Sequence, residues 1–256
     1  MPITESSILP DFPTLVCEAI QGFASDLGNA LSHMHDTLAR LQRELPDPFG
    51  LQMDIHTLFG PYLARSILEV TGTALIARSD PFRILTLRQV QSNANYAPGA
   101  RNASSIQWLG DILAEGSAKA PLWATDRRAD QMTRSLLGDY QAAVLWNPAF
   151  TRFLDAVGNR DNSGTWTREL QRLSPETFAP WARHQASDTY SRASKGVHHE
   201  FVVTMASYYD SATLMDLIES AVKVSSVLAV VFNFAEQAFL PLAPDLALDI
   251  FERLQP

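Results

Sequence analysis

The 256 residues carry 28 acidic and 20 basic side chains, a formal net charge of -8, and are 46% hydrophobic and 19% charged. That balance is globular rather than disordered. It excludes a broad nucleic-acid-binding surface, because phosphate affinity is carried by clustered Lys and Arg, but leaves a local basic patch open.

The single cysteine, Cys17, excludes an intramolecular disulfide and a multi-cysteine zinc site, which fits a reducing cytoplasm. The amino terminus, MPITESSILPDFP, shows neither a basic n-region nor an apolar h-region, so no signal peptide is expected. From Asp11 and Pro13 a long helix is predicted through Leu45. Ile20, Leu27, Met34 and Leu41 recur every seventh position, and Ala24, Leu31, Leu38 and Leu45 follow four residues behind. Such a seam suits a helix hairpin, a bundle or a dimer interface. Within it His33, His35 and Asp36 suggest a metal, but residues two apart on a helix point about 200° away from each other, so no shared ion is expected.

Pro46 and Pro48 end that helix. A second is predicted over 53–77, where Ile55, Phe59, Leu63, Ile67 and Val70 recur at spacings of three and four. A third, from Phe82 to Val90, follows Asp80-Pro81, with the proline where a first turn tolerates it. The turn-rich SNANYAPGARNASS, 92–105, is the clearest boundary. It divides an N-terminal helical region, 1–95, from a C-terminal one, 96–256, and the two could pack as one domain.

Further helices are predicted over 106–115, 126–137, 148–157, 166–173 and 176–184, then a motif-bearing helix from about Ala186. A long apolar helix from Asp210 or Ser211 to about Phe239 and a closing helix over 246–254 complete the chain. Val224 to Ala235 is uncharged for 12 residues, short of the roughly 20 that cross a bilayer, so it reads as a core helix and no membrane partner is expected. Strand alternation and fixed repeats are missing. The fold class is therefore all-α: a multi-helix bundle with long N-terminal and C-terminal core helices.

The sequence shows no glycine-rich phosphate loop, no dinucleotide fingerprint and no His-Glu-x-x-His zinc motif, so no cofactor is implied. Its chemistry gathers in YSRASKGVHHE, from Tyr190. On a continuous helix Arg192, Lys195 and His199 share a face opposite a stripe of Tyr190, Val197, Phe201, Thr204, Met205 and Tyr208, and can converge on one anion. His198 falls beside Ser194 on the flank. Ser194 and Lys195 diverge by about 100° and make a poor nucleophile pair. Ser191 or Ser194 with His198 lacks an orienting acid and an oxyanion-hole motif.

The spacing from Arg192 to His198 or His199, with five or six residues between, resembles the Arg-x(4–6)-His motif of the HEPN superfamily. So does the layout of a polar motif helix ahead of a long apolar one. The resemblance covers residues 140–240 at most, and the position after the arginine, often polar in the family, is Ala193. It implies a metal-independent endoribonuclease, an RNA substrate, and a bacterial defence or toxin setting. Arg192 would bind phosphate and His199 would transfer protons, with His198 as its substitute and Lys195 assisting. It also implies a homodimer that pairs two motifs.

The alternative is a noncatalytic helical protein–protein interaction module, its partner docked on the Ile20–Leu45 seam. A third reading builds a small-ligand or metal site from Glu69, Arg78, Asp80, Arg83 and the histidines.

Overall fold

The computed structural model describes residues 11–18, 25–45, 53–97, 104–115, 121–158, 160, 164–196 and 209–255. Among them every regular element is helical, apart from one isolated bridge between Leu109 and Leu113. The all-α expectation holds: these helices pack together around a shared core.

The expected helix from Asp11 to Leu45 is instead two. α1 spans Phe12–Cys17 and α2 spans Asp26–Arg43. α1 stops because Glu18 takes φ 63°, ψ 154°, which no helix accommodates. α2 restarts on Ser25, whose hydroxyl accepts the Gly28 N–H at 3.0 Å, with Asp26 in the first turn and Arg40 and Arg43 in the last, complementing the helix dipole. The seam is used within the chain: Leu27, Leu31 and Leu38 are buried, and Met34, Leu41 and Leu45 pack against the same core. Ile20 and Ala24 lie outside the described residues.

α3, Met53–Ser79, runs into α4, Pro81–Gln91, through Asp80, which caps α4 by accepting from the Arg83 N–H. The two expected helices over 106–115 and 126–137 do not form. Residues 104–115 make turns in which Gly110 sits at φ 96° and the Asp111 carboxylate accepts the Gln107 N–H at 2.7 Å. Local turn chemistry and pairing win there: Leu136 and Leu137 donate to the Asp111 and Ile112 carbonyls at 2.8 and 2.9 Å. Only a 3₁₀ turn, Ala129–Gln131, is left of the second helix.

One turn of α5, Asp139–Gln141, continues through a π-helical stretch, Ala142–Trp146, into α6, Asn147–Gly158. α7 is Thr165–Leu170. α8, Pro175–Lys195, is one helix where two were expected, 176–184 and another from Ala186. Between His184 and Ala186 there is no breaker, and Ala179, Ala182, Ala186, Thr189 and Ala193 keep one small-residue face buried throughout. A capping box joins Ser174 and Thr177 at its start.

α9, Ser211–Phe232, is capped by Asp210 and buried on every side from Val224 to Phe232, and it packs against α3, α8 and α1. It ends seven residues before the expected Phe239 because Asn233 turns into the core. There the Asn233 amide donates to the Leu15 and Ala229 carbonyls, and its oxygen accepts from Arg78 and the Leu242 N–H. α10, Pro244–Leu254, closes the fold. No helix of the described residues is long and apolar enough to cross a membrane.

Candidate functional site

The motif arginine and lysine stand on the last turn of α8. Arg192 is partly exposed, and its Nη2 pairs with Oδ2 of Asp216, an exposed carboxylate on α9. Lys195 is exposed. The turn is fixed from beneath: the Tyr209 hydroxyl donates to the Arg192 carbonyl at 2.5 Å, and Gly196, the C-cap, is buried. A Cβ on Gly196 would come within 2.5 Å of Pro61 and 2.9 Å of the Tyr209 ring, so glycine is required by close approach to α3. α8 itself ends at Lys195. His198 and His199 lie outside the described residues.

The neighbouring flank of α8 walls a groove of about 1460 Å³, enclosed by α2, α3, α4 and the turns of 104–115. Tyr190, Ser191 and Ser194 face it from α8, His33 from α2, and Arg88 from α4. Tyr190 was expected in the core-facing stripe. It packs against the core but is only half-buried, stacked on Trp108 at 4.2 Å between ring centroids and 7° between planes, with the Arg65 guanidinium 4.8 Å from its own centroid.

The Glu69 carboxylate gathers this cluster: its Oε1 accepts from Arg65 Nε at 3.0 Å and from the Tyr190 hydroxyl at 2.9 Å. Burial, then the Glu69 hydrogen bond and charge, push the Tyr190 phenol up to about 12 against the opposing pull of Arg65. One turn further along α8, the Ser194 hydroxyl oxygen is buried and without a hydrogen-bond partner. Lys195 points to solvent, so the Ser194-Lys195 pair is divided between groove and surface.

The third reading's residues are dispersed. Glu69 lines the groove, but Arg78 is wholly buried and donates to the Val16, Phe239 and Leu240 carbonyls and to Asn233. Its guanidinium lies 5.1 Å from the Phe232 ring centroid, and burial lowers its pKa to about 10. Asp80 and Arg83 belong to a surface network with Arg134 and Asp111. His33 faces the groove while His35 lies 3.6 Å from Asp36, so the two histidines diverge. Among the described residues no group of three or more His, Cys, Asp or Glu side chains could hold a metal ion. Burial pushes the Cys17 thiol up to about 12 and leaves it unreactive.

Sequence reasoning missed Arg65 and Trp108. The i, i+4 spacing of Arg65 and Glu69 was a usable signal. Trp108 carried none, because its place depends on a turn segment that reads as helix. Comparison with protein-family models, curated proteins and solved structures finds no match.

Proposed function

We propose that the chain is a metal-independent endoribonuclease of HEPN type, acting in a bacterial defence or toxin system. The observation that supports this reading is the end of α8. Arg192 and Lys195 stand at the surface on its last turn, beside a groove walled by the same helix, and His198 and His199 follow within four residues in the sequence.

Cleavage without metal needs three functions. A base takes the proton of the ribose 2′-hydroxyl, whose oxygen forms a bond to phosphorus. An acid gives a proton to the 5′-oxygen as its bond to phosphorus breaks, and a cation stabilises the phosphorane-like transition state. His199 serves as the proton-transfer group with His198 as its substitute, Arg192 holds the phosphate oxygens, and Lys195 adds charge. A second copy in a homodimer would supply the second histidine, dividing base and acid between two motifs. Purified chain incubated with labelled tRNA and total RNA in EDTA is expected to cut RNA, and Arg192→Ala and His199→Ala are each expected to abolish cutting. Intact RNA with the folded wild-type chain would refute the reading.

A noncatalytic interaction module is the second reading. In its favour, Asp216 already answers the charge of Arg192 within the chain. The partner would not dock on the seam of α2, whose Leu31 and Leu38 are fully buried. Asp216→Asn separates the two readings, because releasing Arg192 raises cleavage by a nuclease and creates none in a binding module.

A further inference from the structure

We infer that the groove beside α8 reads a guanine base of single-stranded RNA, through Arg65 and Glu69 set against the Tyr190–Trp108 stack. The inference rests on the ribonuclease reading, since it names the base such an enzyme would hold next to the cut.

The argument starts from unused hydrogen-bonding capacity. Among the described residues both donors to Glu69 converge on Oε1, which leaves Oε2 as an acceptor; Arg65 reaches Glu69 through Nε and also interacts with the Tyr190 hydroxyl, and the remaining N–H groups of its Nη1 and Nη2 can donate to a ligand. The orientation of these atoms is fixed. Tyr190 holds the carboxylate by its hydroxyl, and its ring is stacked on the Trp108 indole with the Arg65 guanidinium 4.8 Å from its centroid. The site therefore presents two donors beside one acceptor.

Guanine shows the complement around its O6 corner, with N7 and O6 as neighbouring acceptors on the Hoogsteen edge and N1–H as the donor beside O6 on the Watson–Crick edge. Adenine replaces the O6 acceptor with an amino donor and so opposes the arginine. Single-stranded RNA is recognised in this way, by hydrogen bonds to splayed bases supported by aromatic and guanidinium planes.

The groove suits a base better than a phosphate. Its cations are already answered, Arg65 by Glu69 and Arg88 by Asp26 at 3.1 Å, so little net positive charge faces inward. At about 1460 Å³ it exceeds the roughly 300–1,000 Å³ of small-molecule sites, which fits a segment of polymer. Phosphates would run along the outer face that carries Arg192 and Lys195.

The test is fluorescence anisotropy with 5′-labelled 2′-O-methyl adenine hexamers carrying one central guanine, hypoxanthine, 7-deazaguanine or adenine. These oligonucleotides lack the attacking hydroxyl, so binding is read apart from cleavage. Guanine and hypoxanthine are expected to bind alike and about tenfold more tightly than adenine, with 7-deazaguanine between them. Arg65→Met and Glu69→Met, checked for folding by circular dichroism, are each expected to remove the preference. Equal affinity for guanine and adenine on the unmutated chain, no binding of any hexamer, or a preference that survives both substitutions would overturn the inference. Guanine preference in a chain that cuts no RNA would leave base reading intact and sink the nuclease. Cutting of RNA without base preference would do the reverse.

Discussion

Arg78 Nη2 and Asn233 Oδ1 lie 2.7 Å apart inside the core, although 155 positions separate them in the chain. The pair ties the end of α1, the end of α3 and the turn after α9 together, with Arg78 bonded to carbonyls and an amide instead of a carboxylate. Arg78→Met should therefore strand several buried acceptors and cost about 3–5 kcal/mol, at roughly 1–3 kcal/mol for each acceptor left without a donor. Arg78→Lys should recover little, because an ammonium cannot reproduce the planar fork. Urea denaturation of the two variants measures both. A loss below about 1 kcal/mol for Arg78→Met would contradict the role given to the pair.

Glu18 sits beside this hub with Oε2 buried and without a hydrogen-bond partner. Burial raises its pKa above the usual carboxylate value, against an opposing pull from Arg78. A raised folded-state value means that the unfolded chain ionises first, so stability falls as pH rises from the unfolded pKa through the folded one. Glu18→Gln should be more stable than wild type at neutral pH, with the difference closing below the ordinary carboxylate range. Thermal melts across that range follow it, and a variant less stable at pH 7 would reverse the assignment.

The Tyr190 phenol, pushed up to about 12, gives the same sign at the alkaline end. Its contribution is complete below pH 10 and is lost between about pH 10 and 12, as the folded state alone still holds the proton. Ultraviolet titration of tyrosinate should show one phenol ionising late in wild type and missing in Tyr190→Phe. Identical titration curves above pH 10, apart from one fewer ordinary tyrosine, would show that Glu69 does not hold it.

Gly196 is the point where α8 meets α3. A methyl group there would lie 2.5 Å from the Pro61 ring, so Gly196→Ala must displace the last turn of α8 or the start of α3. The expected cost is about 1–3 kcal/mol, as for other overpacked sites. A loss of RNA cleavage larger than the loss of stability is also expected, since Arg192 rides on that turn. An alanine variant equal to wild type in both would show that the close approach positions nothing.

Much of this architecture was legible because periodic apolar residues recur along α2, α3, α4, α6 and α9, and Ser25, Asp80 and Asp210 cap α2, α4 and α9. The failures have local causes. Residues 104–115 have a helix-like distribution of apolar side chains, yet Gly110 and the Asp111 carboxylate form turns that 135–137 then pair with. Glu18 breaks the first helix by a backbone conformation that its side chain does not announce. Arg78 reads as a ligand-binding cation in sequence, and only the arrival of three distant carbonyls makes it structural. At the site, Arg192 and Lys195 were legible as surface cations, whereas the Trp108–Tyr190–Arg65 cluster arises from three segments and leaves no linear pattern.

The most direct measurement is the chemistry of the ends left on cut RNA. Labelled RNA incubated with the purified chain in EDTA, then analysed by mass spectrometry, should yield 2′,3′-cyclic phosphate or 3′-phosphate on one fragment and a 5′-hydroxyl on the other. Those ends should disappear with Arg192→Ala and with His199→Ala. RNA left whole by the folded chain, or 5′-phosphate ends that require added divalent metal, would contradict the proposal.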